Sequence, residues 1–273
     1  MNNKILILGK GFIGQRLQES FNCNISDRKI YKFSDAEEEV KKYRPKIIIN
    51  CIGHTGISNV DDCELDKDRT IFANTFVPLL LAEVAIRNRI KLVHISSGCI
   101  YHFDYSKDKP IDEEAVPDFF DLFYSRSKIY ADRSLKVLSS EFDVLIIRIR
   151  VPLDIKPHSK NLLTRLINYN RIIDVPNSVT YIPDFIKALR YLIRINARGI
   201  FNVVNKGGLR YPRLLETYKK YVPGYRYEFI DFKKLNLIRT NVVLSTKKLE
   251  KTGFKVRSIN EVLEECVKEY LKY

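Results

Sequence analysis

Tyr124 and Lys128 lie four residues apart in the segment FYSRSK. On an α-helix that spacing stacks a phenol and an ammonium on one face, about 6 Å apart along the axis. A cation so placed lowers the cost of forming a phenolate. It pulls the tyrosine from its usual pKa of about 10 toward the neutral range, where it can give a proton to a carbonyl oxygen. Any tyrosine and lysine on an exposed helix share this spacing, so their surroundings decide the reading. Upstream, KLVHISSGCIY reads as a buried strand that delivers Ser96, Ser97, Gly98 and Cys99 at its end.

A second chemical signature opens the chain. Gly9-Lys10-Gly11-Phe12-Ile13-Gly14 is a G-x-G-x-x-G between an apolar strand, KILIL, and an amphipathic helical stretch, FIGQRLQESF. Gly9 permits the tight turn, Gly11 lets the backbone approach a pyrophosphate, and Gly14 lets helix and strand pack closely. With Lys10, Phe12 and Ile13 they are expected to form a dinucleotide-binding loop at a helix N-terminus. The next strand, about Cys23 to Ser26, ends in Asp27-Arg28-Lys29. An acid there binds a ribose 2′-hydroxyl and favours NAD; an arginine accommodates a 2′-phosphate and favours NADP. Two adjacent cations suit a phosphate better, so NADPH is the expected cofactor and NADH the alternative.

The elements that must position these groups alternate. A helix is expected at residues 36–43, a strand at 46–53, a helix at about 68–88 with Asn74 as a core amide, and strands at 91–96 and 144–152. His54, Thr55, Gly56 and Ser58 fall in a polar loop at the carboxyl end of the third strand, the edge where such sheets bind ligands. The expected fold is α/β, a doubly wound parallel sheet of Rossmann type. Residues 1–150 would form the dinucleotide-binding domain, with 172–204 completing the sheet. Residues 151–171 and 205–273 would form a smaller, substrate-covering C-terminal region. Helices are expected at 161–170 and 183–195, a strand at 199–205, and an amphipathic helix at the end.

Five cysteines form no CxxC, and four histidines show no ligand spacing with them, which argues against disulfides and a metal site. No run of 18 apolar residues appears, and the chain enters a strand at once without a signal-like stretch. A cytoplasmic protein with no membrane segment is expected. The net charge of +14 admits nucleic acid as well as anionic small molecules. Basic residues are spread evenly, with no arginine-rich tail or basic-aromatic cluster, so phosphate-bearing ligands are the expected partners and nucleic acid is not.

The glycine loop after the first strand, the serine ending the fourth, and Tyr-x-x-x-Lys on the following helix together resemble the extended short-chain dehydrogenase/reductases. The likeness extends through GHTGISNVDDCE, SSGCIY, FYSRSK, RIRVP, IIDVPNSVT and RTNVVLSTKKL. These segments resemble the bifunctional 3,5-epimerase/4-reductases of rhamnose synthesis, which turn UDP-4-keto-6-deoxy-glucose into UDP-rhamnose with NADPH. GDP-fucose synthases and dTDP-4-dehydrorhamnose reductases are more distant relatives.

The resemblance implies that Ser97, Tyr124 and Lys128 form the reductase set, that Tyr124 and Lys128 also touch the cofactor, and that Cys99 is an epimerisation acid/base. It implies that Ser97, Asn161, Arg239 and Asn241, with His54 of the ligand-edge loop, contact the nucleotide sugar, and that the protein is a homodimer. Arg165 stands where the family pattern has a lysine credited with epimerisation. Because a guanidinium stays charged, it would stabilise an enolate or hold the diphosphate, leaving His158, Lys160 or water to carry the proton. The glycine loop is one residue shorter than the G-x-x-G-x-x-G usual in the extended group. The rival readings are a monofunctional 4-reductase and a non-catalytic NADP-binding subunit; intact Ser97, Tyr124 and Lys128 argue against the second.

Overall fold

In the computed structural model, which describes residues 2–57, 59–106, 108–235 and 238–273, Ser58 lies outside the described residues. The first of two compact units comprises Met1–Ile100, Pro117–Arg148 and Ile195–Phe201. Its strands are β1 (Asn2–Leu8), β2 (Cys23–Ser26), β3 (Ile47–Asn50), β4 (Lys91–Ser97), β5 (Val144–Ile149) and β9 (Gly199–Asn202), side by side in the order β2-β1-β3-β4-β5-β9. Leu8 pairs in parallel with Ser26 on one side and Asn50 on the other, and Asn50 pairs with His94. The order reverses between β1 and β3, so the carboxyl ends of those two strands flank a topological switch point.

Strands buried on both faces read as apolar runs, as residues 5–8 of β1 and 47–49 of β3 do, while β4 buries Lys91, His94, Ser96 and Ser97 as well. Helix α1 (Phe12–Phe21) buries Phe12 and Leu17 and stops at Asn22, which adopts φ +47°. Helix α2 (Phe33–Tyr43) starts with a capping box in which the Asp35 carboxylate accepts the Lys32 N–H, and it ends at left-handed Arg44 before Pro45. Helix α3 (Lys67–Arg87) is long and apolar enough, by length and composition, to cross a membrane. In this protein Val77, Leu81, Ala82, Val84 and Ala85 instead pack with Leu6, Leu8, Ile48 and Leu92 in the core. A π-turn at Phe72–Phe76 interrupts α3 just before Pro78, which has no N–H to give the carbonyl four residues back. Helix α4 (Phe123–Glu141) packs against β4 and α3.

The second unit comprises Tyr101–Val116, Ile149–Arg194 and Asn202–Tyr273. It holds the pairs β6 (Pro152–Leu153) with β8 (Thr180–Tyr181) and β7 (Arg171–Ile172) with β10 (Glu228–Phe229). Its helices are α5 (Leu162–Ile167), α6 (Ile182–Arg194), α7 (Tyr211–Lys219), α8 (Lys247–Lys251) and α9 (Ile259–Tyr270). Leu162, Leu163 and Leu166 of α5 meet Leu214 and Leu215 of α7 and Val262, Leu263, Cys266 and Val267 of α9 in its core.

Several sequence expectations need correction. The second unit is nearly as large as the first, and it draws in residues 101–116. Of 172–204, only Gly199–Asn202 joins the sheet, because α6 lies in the second unit. The third strand ends at Asn50, since Cys51 onward leaves the ladder for the ligand-edge loop, and the helix expected at 161–170 is shortened to Leu162–Ile167.

Candidate active site

Gly9 leaves β1 at φ +102°, and a Cβ there would lie 2.8 Å from the Cys51 carbonyl carbon and from the Ile52 nitrogen. Only glycine fits both the turn and the approach. Its N–H donates to the Ser26 carbonyl at 2.9 Å, tying the loop to the end of β2. A Cβ at Gly14 would lie 2.0 Å from the Gly9 oxygen, so α1 can sit this close to the loop only without one. Gly11, the N-cap of α1, faces open space and provides no side-chain cap. No side chain of its N-cap closes the N-terminus of α1, and the residues fit the diphosphate of a dinucleotide. The exposed Lys10 accepts Gln15 Nε2–H on its carbonyl at 2.9 Å; Phe12 is buried and Ile13 half-buried.

Asp27 and Arg28 are exposed where β2 ends. The Arg28 N–H donates to Ser26 Oγ, and its guanidinium turns to α2, with Nη2 at 2.6 Å from Glu38 Oε2 and 3.5 Å from Asp35 Oδ1. The Glu38 carboxylate is the main cause that raises the guanidinium pKa, with Asp35 adding to it.

Ser97, Tyr124 and Lys128 are 6 %, 6 % and 4 % exposed, so all three are shielded from bulk water. Ser97 ends β4. Its Oγ accepts the Cys99 backbone N–H at 3.1 Å, which leaves the hydroxyl proton free to point elsewhere. Helix α4 begins at Phe123, whose N–H donates to Glu64 Oε1 at 2.5 Å, a carboxylate placed where the helix dipole favours one. One turn later, burial pushes Lys128 down to about 8; Asp132, then Cys63, Cys99 and Cys51, act in the opposite direction. A side chain at Gly53 would come within 3.4 Å of Lys128 Nζ and 3.2 Å of Asn74 Oδ1, so this glycine leaves room for both.

Behind this corner lies a buried polar network. Asp132, one turn beyond Lys128, accepts Arg148 Nε–H at 2.7 Å and the Ser96 hydroxyl. The Asp132–Arg148 pair is almost wholly buried, and through Ser96 it links α4 to the residue next to Ser97. On β4, His94 Nδ1 accepts from Asn50 Nδ2 at 3.1 Å, while its Nε2 has no hydrogen-bond partner among the described residues. Burial, with the Lys128 charge, holds His94 well below the usual histidine range, so it is neutral.

The loop after β3 is held by Asn74 in the π-turn. Its Oδ1 accepts the His54 N–H and its Nδ2 donates to the His54 carbonyl, each at 2.9 Å, and also to Ser127 Oγ at 3.1 Å. Ser127 Oγ in turn donates to the Tyr124 carbonyl at 2.7 Å. Asn74 is thus a satisfied core amide and also a connection between the His54 loop and the turn carrying Tyr124. The His54 ring pairs with Thr70 Oγ1 at 2.9 Å, and Thr55 and Gly56 remain in the partly exposed loop.

The remaining expected site residues belong to the second unit. Arg165 on α5 is partly exposed, with Nη2 at 3.3 Å from the Tyr169 hydroxyl. Asn161, expected to touch substrate, caps α5: Oδ1 accepts the N–H groups of Leu163 and Asp154, and Nδ2 donates to the carbonyls of Asp154 and Lys156. Its side chain is fully used inside its own loop. Arg239 Nη1 donates to the Ile238 carbonyl, and Asn241 Oδ1 accepts from Asn177 Nδ2 at 3.1 Å. Asn177, which the sequence reading passed over, also accepts from the buried Arg150 and donates to the Tyr211 hydroxyl.

The chain is similar to known proteins over nearly its whole length. The chain is 29% identical over 277 aligned positions to the Arabidopsis thaliana trifunctional UDP-glucose 4,6-dehydratase/UDP-4-keto-6-deoxy-D-glucose 3,5-epimerase/UDP-4-keto-L-rhamnose-reductase RHM2; 95% of the chain takes part, and it spans 41% of that relative's length. The L780 UDP-rhamnose synthase of Acanthamoeba polyphaga mimivirus superposes with a TM-score of 0.91 at 26% identity, covering 97% of this chain and 98% of that one. The dTDP-4-dehydrorhamnose reductase of Bacillus anthracis, solved with NADP, shares the fold at a TM-score of 0.83 and 23% identity, over 98% and 99% of the two chains. The fold is that of the extended short-chain dehydrogenase/reductases. Residues 3–175 match the model of the RmlD substrate-binding domain, and the chain belongs to that family.

Proposed function

We propose that this chain epimerises UDP-4-keto-6-deoxy-glucose at C3 and C5 and reduces its C4 ketone to give UDP-rhamnose. NADPH, when bound, supplies the hydride for C4. The observation that carries the reading is the burial of Ser97, Tyr124 and Lys128, with Cys99 tied through its backbone N–H to Ser97 Oγ and its thiol close enough to Lys128 to act on that amine's charge. Because Ser97 Oγ accepts from Cys99, its proton is free for the ketone oxygen. A second hydroxyl, from Tyr124, completes the pair of donors.

Donors at O4 serve both reactions. The protons on C3 and C5 are α to the ketone, and removing either produces an enolate whose oxygen these hydroxyls stabilise. Inversion needs a proton removed on one face and delivered on the other: Cys99 exchanges the proton on one face, and His158, Lys160 or water carries it on the opposite face. Arg165 stabilises the enolate or the diphosphate without exchanging a proton. Reduction follows when Tyr124 gives its proton to O4, and Lys128, positively charged below its pKa of about 8, favours the phenolate that results. The L780 relative, described as a UDP-rhamnose synthase, supports the choice of substrate. The homodimer belongs to the same reading: Phe76 of α3 and Tyr130 and Val137 of α4 are exposed apolar residues that pairing of these helices would bury.

The test is incubation with UDP-4-keto-6-deoxy-glucose and NADPH in deuterated water. The expected product is UDP-rhamnose carrying deuterium at C3 and C5. NADPH oxidation without label at those carbons leaves a simple 4-reductase, and neither oxidation nor exchange overturns the enzymatic reading.

A further inference from the structure

A cavity of about 260 Å³ lies within the second unit, between α6 and the segment that joins α8 to α9. None of its lining residues is among those assigned to the dinucleotide or the nucleotide sugar. Phe185 and Ala188 of α6, Val204, Leu249 of α8, Phe254 and Val256 give it apolar walls. An apolar cavity of about 150 Å³ holds benzene, so this one has room for an aromatic ring with a short side arm.

The wall from Thr252 to Arg257 is fastened at its two ends. At one, Gly253 turns the chain at φ +94°, its N–H donates to the Glu250 carbonyl at 2.9 Å, and the Tyr191 hydroxyl donates to the Thr252 carbonyl. At the other, the Arg257 carbonyl accepts the Lys206 N–H at 3.0 Å, while its guanidinium donates to Asp184 through Nε and Nη2 and to Glu265 through Nη1. Between these ends, the main chain of Phe254, Lys255 and Val256 has no hydrogen-bond partner among the described residues. That stretch can give way to a ligand without breaking a main-chain bond.

The charged lining divides in the same way. Asp184 is spent on Arg257 and on Asn205 Nδ2, which donates to it at 2.9 Å. Lys187, whose side chain is 67% exposed, stands 3.9 Å from Asp184 Oδ1, too far for a hydrogen bond. The exposed Lys255 has no acidic partner among the described residues. Two exposed ammonium groups beside an apolar pocket select a molecule that is apolar at one end and anionic at the other.

We propose that this cavity is a binding site for a small aromatic anion, with its ring between Phe185 and Phe254 and its carboxylate or phosphate at Lys187 and Lys255. The site stands apart from the reaction proposed above, and neither depends on the other.

NMR titration of the isotope-labelled full chain with phenylacetate, phenyl phosphate and the uncharged phenylacetamide tests this. The amides of Ala188, Val204 and Val256 are expected to shift, with at least one anion bound about tenfold tighter than phenylacetamide; the tighter of the two anions identifies the head group. Lys187→Gln combined with Lys255→Gln, both at exposed positions, is expected to weaken that anion about tenfold and leave phenylacetamide unchanged. Ala188→Leu, which puts a larger side chain into the cavity, is expected to abolish binding of all three. The lysine pair lies outside the core and decides the matter even if Ala188→Leu does not fold. No shift at these amides with any probe at about 20 mM, equal affinity for the anions and the amide, or anion binding untouched by the double lysine substitution overturns the proposal.

Discussion

Lys128 and Arg28 are both cations set among acids in the first unit, yet burial makes them different devices. Lys128 is shielded from water, and its nearest acid, Asp132, is itself tied to Arg148. Desolvation outweighs that acid, and the amine falls to about 8. Arg28 lies at the surface, where Glu38 raises its pKa and water screens the pair. A buried arrangement of this kind fixes protonation and geometry and cannot be rearranged cheaply. An exposed one is readily exchanged for the charge of a ligand.

The sharpest way to separate them is to remove one partner from each. Tyr124→Phe, which removes the hydroxyl that the proposed mechanism uses as proton donor, is expected to lower C4 reduction about 10²–10⁴-fold while changing nicotinamide binding far less. Stopped-flow oxidation of NADPH reads the first and fluorescence titration the second; unchanged reduction would remove Tyr124 from the mechanism. Next in size, Asp132→Asn strands a buried guanidinium at Arg148 and should cost roughly 3–5 kcal/mol in urea unfolding. Replacing both partners together, Asp132→Leu with Arg148→Met, should recover much of that loss. Arg28→Gln at the exposed corner should leave the urea midpoint where it was. Equal destabilisation at the two corners would show that the distinction drawn from burial is mistaken.

How far the sequence carried depends on whether a feature lives in local spacing or in packing. The glycine loop and the Tyr124–Lys128 pair were legible because each is set by a few neighbouring residues: Gly9 and Gly14 by contacts of the turn itself, Tyr124 and Lys128 by one helical turn. The parallel, doubly wound class of the sheet was legible as alternation of strands and helices, though not the order of its strands. Two signals were present and went unread. A charged Arg148 inside VLIIRI requires a buried partner, and Asp132 stands one further turn past Lys128 in the same phase. By contrast, Glu38 was invisible as a partner of Arg28, since nothing in the sequence says that a surface arginine ten residues upstream folds back onto α2. The fully satisfied Asn161 cap was equally hidden, because an asparagine before a helix reads the same whether its side chain serves the backbone or a ligand. The three-segment second unit could not be foreseen either, as Tyr101–Val116 joins it only through tertiary contacts.

The pH dependence of reduction gives the finest comparison, because the Lys128 amine titrates within the measurable range. Around this amine stand Asp132 on its own helix, His94 on β4, and Cys51, Cys63 and Cys99 from three neighbouring segments. With the pKa near 8, the charged form is complete at neutral pH, and kcat/KM should fall about tenfold per pH unit above that value. Asp132 opposes the desolvation, so Asp132→Asn should move this limb to lower pH, while Arg28→Gln should leave it in place. Stability moves the other way over the same window. The folded protein gives up the Lys128 proton near 8, but an unfolded lysine holds it to about 10.5, so between these values the unfolded chain binds more protons and this group makes folding more favourable as pH rises. Melting temperatures of wild type and Lys128→Met from pH 7 to 10 read the difference, which should narrow as the buried charge is lost. A gap that stays constant across the range would mean that Lys128 keeps its proton and that water reaches it after all.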